Sequence, residues 1–366
     1  MPSAERSIAP KARVPLAPLS TLGVGGDAAW YARAETIEDV AAAHRWSIER
    51  NVPLFVLGGG SNVVIADEGI DGLVLHLAMR GAAFVQDGDD TVVRVRAGEP
   101  WDDIVAATVS RGLAGFECLS GIPGSAGGTP IQNVGAYGQE VSGVLEAVTA
   151  LDRRTGQVIT QTKQDCRFGY RTSRFKQDEA GRFIVCEVAF RMRPGPPTVT
   201  YPDVIADLEH KGVSSPGLAD VRNAVLAVRR RKAMVIDPSD SDTRSVGSFF
   251  MNPVVAPQVR ERIASASGAA VPGFVVSGSE VKIPAAWLIE RAGFSRGQAS
   301  GGAALSSKHL LAIVNRGGAT ARDVLALAAQ IKRRVGEQFG IWLRPEPVFA
   351  GFHDDGEVEY LQKAIG

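Results

Sequence analysis

Residues 119–138, LSGIPGSAGGTPIQNVGAYG, constrain the chain more than any other stretch: six are glycine, two are proline and none is charged. Glycine-dense backbone makes turns closed to other residues, approaches a ligand closely and aims its N–H groups at it. Ser125, Thr129, Gln132, Asn133 and Tyr137 add neutral donors and acceptors along the strip. Such a surface suits a large flat cofactor carrying a pyrophosphate. On composition alone, a long surface loop answers equally well.

A second glycine cluster lies upstream. PLFVLG reads as a buried strand running straight into Gly58, Gly59 and Gly60, followed by Ser61 and Asn62. The two polar side chains can complete an anion nest built from the glycine amides. Val63 stands where a dinucleotide fingerprint needs its third glycine, and no Lys-Ser/Thr pair follows, so the cluster is neither a Rossmann turn nor a P-loop. A plain tight turn remains the alternative. Gly23, Gly25 and Ala28 fit the fingerprint spacing but lack the preceding strand, and the match is read as accidental.

Helices and strands both lie around these clusters, and an α+β chain is expected. Thr36 is predicted to cap a helix running to about Asn51, with Glu38 and Asp39 in its first turn. TVVRVRAG alternates as a strand, and Pro100 starts a helix with Trp101, Ile104, Val105 and Val109 inward. AVTALDRRTGQVITQ is predicted to turn at Arg154–Thr155–Gly156, and RFIVCEVAFRMR is another strand. ADVRNAVLAVRRRKAMVIDP is a helix that ends basic. PAAWLIERAG is a further helix, and so is ATARDVLALAAQIKRRVGEQFG, capped by Thr320 and closed by Gly340. LRPEPVFAGF is predicted as a strand returning to an earlier sheet.

A length of 366 residues exceeds one average core. The proline-rich PGPPTVTYPDV and the later shift to small residues place a separate small α+β domain at 234–339. Forty basic and forty acidic residues cancel, which leaves no global field for gathering nucleic acid or an anionic membrane. Cys118, Cys166 and Cys186 are odd in number and far apart, which argues against a disulfide framework or a zinc site, and no metal is expected. The N-terminus lacks an apolar leader core and no run approaches the ~20 apolar residues of a membrane span, so a cytoplasmic protein is expected.

Six strings then stand in one order: LGGGSNVVI, LSGIPGSAGGTPIQNVGAYG, FGYRTSRFK, VGSFFMNP, AAWLIERAGFSRG and WLRPEPVFAG. Together, from about Leu19 to Phe352, the chain resembles the UDP-N-acetylenolpyruvoylglucosamine reductase family, flavoenzymes of peptidoglycan precursor synthesis. The resemblance implies two FAD-binding subdomains of the vanillyl-alcohol-oxidase type, 1–80 and 81–233, the latter joined by 340–366, with 234–339 as the substrate domain. It implies that NADPH reduces FAD, and that the reduced flavin converts UDP-N-acetylglucosamine enolpyruvate to UDP-N-acetylmuramate. Neither a flavin-linking histidine nor cysteine is evident, so FAD is expected to be held non-covalently. A monomer in a bacterial cytoplasm, serving cell-wall biogenesis and through it cell shape and division, completes the implication.

The cofactor positions the resemblance implies are Gly58, Gly59, Gly60, Ser61, Asn62, Pro123, Gly124, Ser125, Gly128, Thr129, Asn133, Gly135, Ala136 and Tyr137. Hydride delivered to the vinyl carbon leaves negative charge beside the substrate carboxylate, and that enediolate must be stabilised and protonated. Arg171 matches the residue that grips the carboxylate with two parallel N–H bonds. Ser248 matches the proton donor, although Ser245 lies in the same turn. Glu346 matches a third catalytic position. There a carboxyl group is useful as a hydrogen-bond donor carrying its proton, or paired with Arg171. Arg229 and Lys232 match a pair gripping the UDP end, while Asn252, Arg296 and His309 fall at further substrate positions. Tyr201 resembles the lid tyrosine of one family subtype. Met251 departs from the lysine many relatives carry. An oxidase of sugars or lactones is the nearest rival, and a non-catalytic nucleotide-sugar-binding flavoprotein is the rival of another class.

Overall fold

Thr36 accepts from Asp39 N at 3.1 Å while Asp39 accepts from Thr36 N at 3.0 Å, a reciprocal box that starts helix α1 (Ile37–Glu49) where the sequence places it. In the computed structural model, which describes residues 8–276 and 280–364, the chain divides into two units. The first seven residues, read as lacking an apolar leader, lie outside the described residues. One unit takes residues up to 14 with 28–60 and 71–235; the other takes 15–27, 61–70 and 236–366.

Among the described residues of the first unit, two larger sheets stand beside a two-residue ladder of 135–136 with 139–140. One orders its strands Lys11–Pro15, Asp27–Ala34, Ile70–Leu77 and Leu54–Leu57, the last two parallel with Leu54 opposite Leu73. Helix α1 lays Val40 and Ala43 into the core they form with Ala32, Leu54, Leu73 and Leu75. The other larger sheet is antiparallel, with Phe183–Pro194 inserted between Leu145–Asp152 and Asp90–Arg96, so that Val148 faces Val188 and Phe190 faces Val93. The hairpin turns as predicted, Gly156 N donating to Asp152 O at 2.7 Å with φ +71°. Helix α2 (Trp101–Ser110) buries Trp101, Ile104 and Val105, and Trp101 meets Phe116 edge-on at 4.7 Å. Helices α3 (Pro202–His210) and α4 (Leu218–Arg231) close a smaller core around Cys118, Val204, Leu208 and Val221.

In the second unit α5 (Pro257–Ser267) and α6 (Ala285–Arg291) pack with α7 (Ala321–Phe339), whose Val324, Leu327, Ala328, Ile331 and Val335 are all buried. Thr320 forms a second capping box, and Gly340 ends the helix in left-handed geometry at φ +68°. Asp67 accepts from the N–H groups of Ala321 and Arg322 at 2.7 and 3.1 Å, a carboxylate at the positive end of the helix.

The tail differs from expectation. Residues 340–366 group with 236–339 rather than with 81–233. The physical reason is that strand Val348–Ala350 pairs in parallel with Val63–Ile65, and α8 (Gly356–Gln362) is fastened to α7. Lys332 on α7 is fully buried and donates to the carbonyls of Tyr360, Leu361 and Lys363 at 2.7–2.9 Å, capping the C-terminus of α8. Burial first, then the charge of Arg344, pulls its ammonium below the usual lysine range. Lys332→Met leaves those carbonyls without their donor. Expected are a loss of about 2–3 kcal/mol of stability and faster hydrogen exchange over 356–364; unchanged protection there contradicts the capping role.

Candidate active site

The two glycine clusters of the first unit lie main chain to main chain. Gly59 N donates to Ser125 Oγ at 3.2 Å. A Cβ on Gly59 would stand 2.7 Å from Gly124 Cα, and one on Gly58 2.9 Å from Ser125 Oγ. Gly124 and Ala126 are in turn tied to the start of α2, through Trp101 N to Gly124 O at 3.0 Å and Ala126 N to Glu99 O at 2.9 Å. Gly127 allows contact with Ala97, where a Cβ would come within 2.5 Å of the alanine methyl. Gly128 faces the other way: no atom lies within 4 Å of a Cβ built there. Thr129 is buried and donates to Ala126 O at 2.8 Å. Pro123 and Ser61 flank these turns half-buried.

Asn133 occupies left-handed backbone at φ 46°, and its side chain serves the loop itself. Its Nδ2 donates to Glu140 Oε2 at 2.8 Å and Gly169 O at 3.1 Å, and its Oδ1 accepts from Ser142 N at 3.1 Å. Gly135 and Ala136 pair with Glu140 and Gln139 in a two-residue ladder. Tyr137 and Arg171 also hold left-handed φ, 49° and 54°, conformations that cost a bulky residue energy and cluster at functional sites.

Of the three arginines in RFGYRTSR, Arg167 and Arg174 are ion-paired with Asp178 and Glu179. Arg171 is turned toward the glycine loop, Nη2 donating to Gly135 O at 2.6 Å. Tyr137 meets Tyr201 edge-on with ring centroids 5.1 Å apart, and burial pushes both hydroxyls up from the ordinary tyrosine range. Arg229 donates Nη2 to Met234 O at 2.7 Å, while its Nε is buried with no hydrogen-bond partner. Burial lowers its pKa from the usual arginine value, and the neighbouring Tyr137 hydroxyl offsets part of that. Lys232 pairs with Asp203 at 2.5 Å.

The second unit brings Ser248, Glu346 and Asn62 together. Glu346 N donates to Phe249 O at 2.9 Å, Phe250 bridges Pro345, and Asn62 Nδ2 reaches Glu346 O at 3.4 Å. Phe249 and Phe250 are buried anchors, so Ser248 sits half-buried between them and Gly247, which is left-handed at φ +77°. Ser245, the rival hydroxyl, is buried and accepts from Gly247 N at 3.2 Å, a turn-forming role. Asn252 Oδ1 accepts from Ala285 N at 2.9 Å, at the start of α6. His309 N donates to Ser306 Oγ in a turn, and Arg296 is exposed after α6.

Glu117, Gln139 and Thr198 were not singled out in the sequence, yet they knit the entry to the glycine loop, as described below. Among the described residues no group of His, Cys, Asp and Glu is arranged to hold a metal ion, and no helix is long and apolar enough to cross a membrane. The three cysteines are free and buried.

The loops fit a dinucleotide: their backbones touch where any Cβ would part them, one face is open at Gly128, and no charged side chain stands in 119–138. A family model described as an FAD binding domain matches residues 28–162. Another, described as the C-terminal domain of UDP-N-acetylenolpyruvoylglucosamine reductase, matches 237–350. The chain is 47% identical over 346 residues to the UDP-N-acetylenolpyruvoylglucosamine reductase of Streptomyces coelicolor, covering 92% of this chain and 89% of that protein. It is 46% identical over 353 residues to the reductase of the same name from Mycobacterium tuberculosis, covering 92% and 94%. The crystal structure of the Thermus caldophilus reductase superposes with a TM-score of 0.64 at 27% identity, covering 94% of this chain and 99% of that one. The fold is thus α+β, an FAD-binding domain with the reductase C-terminal domain, and FAD is the cofactor.

Proposed function

The chain belongs to the UDP-N-acetylenolpyruvoylglucosamine reductase family, FAD-dependent oxidoreductases of peptidoglycan precursor synthesis, and from that membership we propose that it reduces UDP-N-acetylglucosamine enolpyruvate to UDP-N-acetylmuramate with NADPH. FAD is held without a covalent bond by Gly58–Asn62 and by the loop from Pro123 to Tyr137. The two flavin subdomains are read into the parts before and after residue 80, on the vanillyl-alcohol-oxidase plan, and the substrate domain into the stretch from 234. The enzyme works as a monomer in a bacterial cytoplasm and serves cell-wall growth, shape and division.

Bound there, FAD supplies the hydride that reaches the terminal vinyl carbon. Arg171 grips the enolpyruvyl carboxylate and gains strength as charge builds on it. What supports this role is its bond to Gly135 O, which fixes the guanidinium on the flavin loop before substrate arrives. Ser248 gives its hydroxyl proton to the carbon beside the carboxylate, and Glu346 donates a hydrogen bond to the enolate oxygen. Arg229, with its buried unsatisfied Nε, and Lys232 take the UDP end; Asn252, Arg296 and His309 line the remaining substrate, and Tyr201 closes over it.

Anaerobic stopped-flow on the purified yellow protein tests the whole reading. NADPH is expected to bleach the flavin and UDP-N-acetylglucosamine enolpyruvate to restore its colour stoichiometrically. Bleaching with no response to that nucleotide, or rapid oxygen consumption with a simple sugar, would favour the oxidase instead.

A further inference from the structure

Glu117 opens the glycine loop on a short 3-10 turn (Glu117–Leu119), and its side chain is entirely buried. Three neutral donors surround the carboxylate: Gly115 N at 2.8 Å on one oxygen, Gln139 Nε2 and Thr198 N, both at 2.7 Å, on the other. Gln139 also donates to Thr198 Oγ1 at 3.1 Å and accepts from Cys118 N at 2.9 Å. Cys118 Sγ donates to Thr198 O at 3.3 Å, a bond that needs the thiol form; burial and the charge of Glu117 push that thiol up to about 12. Thr198 is therefore held by its N–H, its carbonyl and its hydroxyl, all from the two ends of the loop. Two residues on, the strap formed by residues 195–201, between strand Phe183–Pro194 and α3, crosses Gly138 so closely that a Cβ there would stand 2.5 Å from Thr200 Oγ1. The next residue is Tyr201, exposed and edge-on to Tyr137.

A buried carboxylate needs every lone pair answered, and removing one partner strands the others. That cost tightens the link between loop and strap at one point, three residues before Tyr201. We propose that Glu117 is a positioning residue for substrate binding: it pins Thr198 to the glycine loop and so fixes where Tyr201 stands relative to Tyr137. It touches neither substrate nor flavin and acts through the strap. The inference rests on the assignment of Tyr201 to the substrate.

In the FAD-loaded full chain, Glu117→Gln keeps the shape but turns an amide N–H toward a backbone N–H. KM for the enolpyruvyl nucleotide is expected to rise about tenfold, because the stranded N–H pushes the strap from its place. Flavin content and the rate of bleaching by NADPH are expected to stay within about twofold of the parent. Tyr201→Ala is expected to raise KM by itself, and adding Glu117→Gln to it should raise KM no further. An unchanged KM in Glu117→Gln, an equal loss in both half-reactions, or additive effects with Tyr201→Ala would overturn the proposal. A silent Tyr201→Ala beside a raised KM in Glu117→Gln would overturn it too, and would separately sink the substrate assignment of Tyr201. If Glu117→Gln does not fold, Gln139→Met at its half-buried site carries the same test, with KM expected to rise about threefold and an unchanged KM deciding against the proposal.

Discussion

Ser248→Ala is expected to leave bleaching of the flavin by NADPH intact while slowing its reoxidation by the enolpyruvyl nucleotide about 10²–10⁴-fold, the usual weight of a positioned general acid. The surroundings make this a clean substitution. Ser248 is half-buried, its neighbours Phe249 and Phe250 anchor the segment, and Phe249 O already receives Glu346 N. Alanine removes a hydroxyl without opening a cavity, so stability should move by no more than about 0.5 kcal/mol. Ser245→Ala is the control: it takes the acceptor from Gly247 N, and it should loosen the turn and affect both Tm and activity. Survival of both half-reactions in Ser248→Ala assigns the proton to another group.

Gly59→Ala is expected to yield colourless protein. Gly59 does not hold a left-handed φ, so alanine's backbone conformation is allowed; the obstacle is contact. The new methyl would lie 2.7–2.9 Å from Gly124 Cα, Gly124 C and Ser125 N, main-chain atoms that cannot swing aside as a side-chain tip can. The two glycine turns must separate, and the surface offered to the flavin separates with them. Gly128→Ala gives the complementary result. No protein atom is near its Cβ direction, so the fold and Tm should be unaffected, and a lowered FAD affinity there reports the cofactor's own approach. Absorbance at flavin wavelengths against protein content decides both, and a stoichiometrically yellow Gly59→Ala protein would falsify the role given to the turn contact.

Local chemistry was the legible part of the sequence. Thr36 and Thr320 cap their helices as written, because a capping box is complete within four residues. The inward face of α7 and the turn at Gly156 are equally local. Helix α5 escaped because few large apolar residues mark an inward face; Ile263 is the one its burial singles out. The tail was assigned to the wrong neighbour because a strand of three residues carries no sign of which partner it will take. Glu117 was invisible for a related reason. Two of its donors are main-chain N–H groups, one of them 81 residues away, and backbone donors have no signature in the sequence. Motif resemblance alone marked Ser248 over Ser245, whose hydroxyl oxygen accepts from Gly247 N in the same turn.

The pairing of the strand Val348–Ala350 with Val63–Ile65 also sets a timetable for synthesis. All of the first unit has been made once residue 235 leaves the ribosome, but the second unit contains segments 15–27 and 61–70 as well as 236–366. Val63 must wait for Val348, about 285 residues later, which at 5–20 residues per second is roughly 15–60 s. Through that interval two early pieces of the nascent chain wait for the residues that complete their own core. The last strand and Lys332's clasp on α8 then complete a unit that had been open since nearly the first residues were translated.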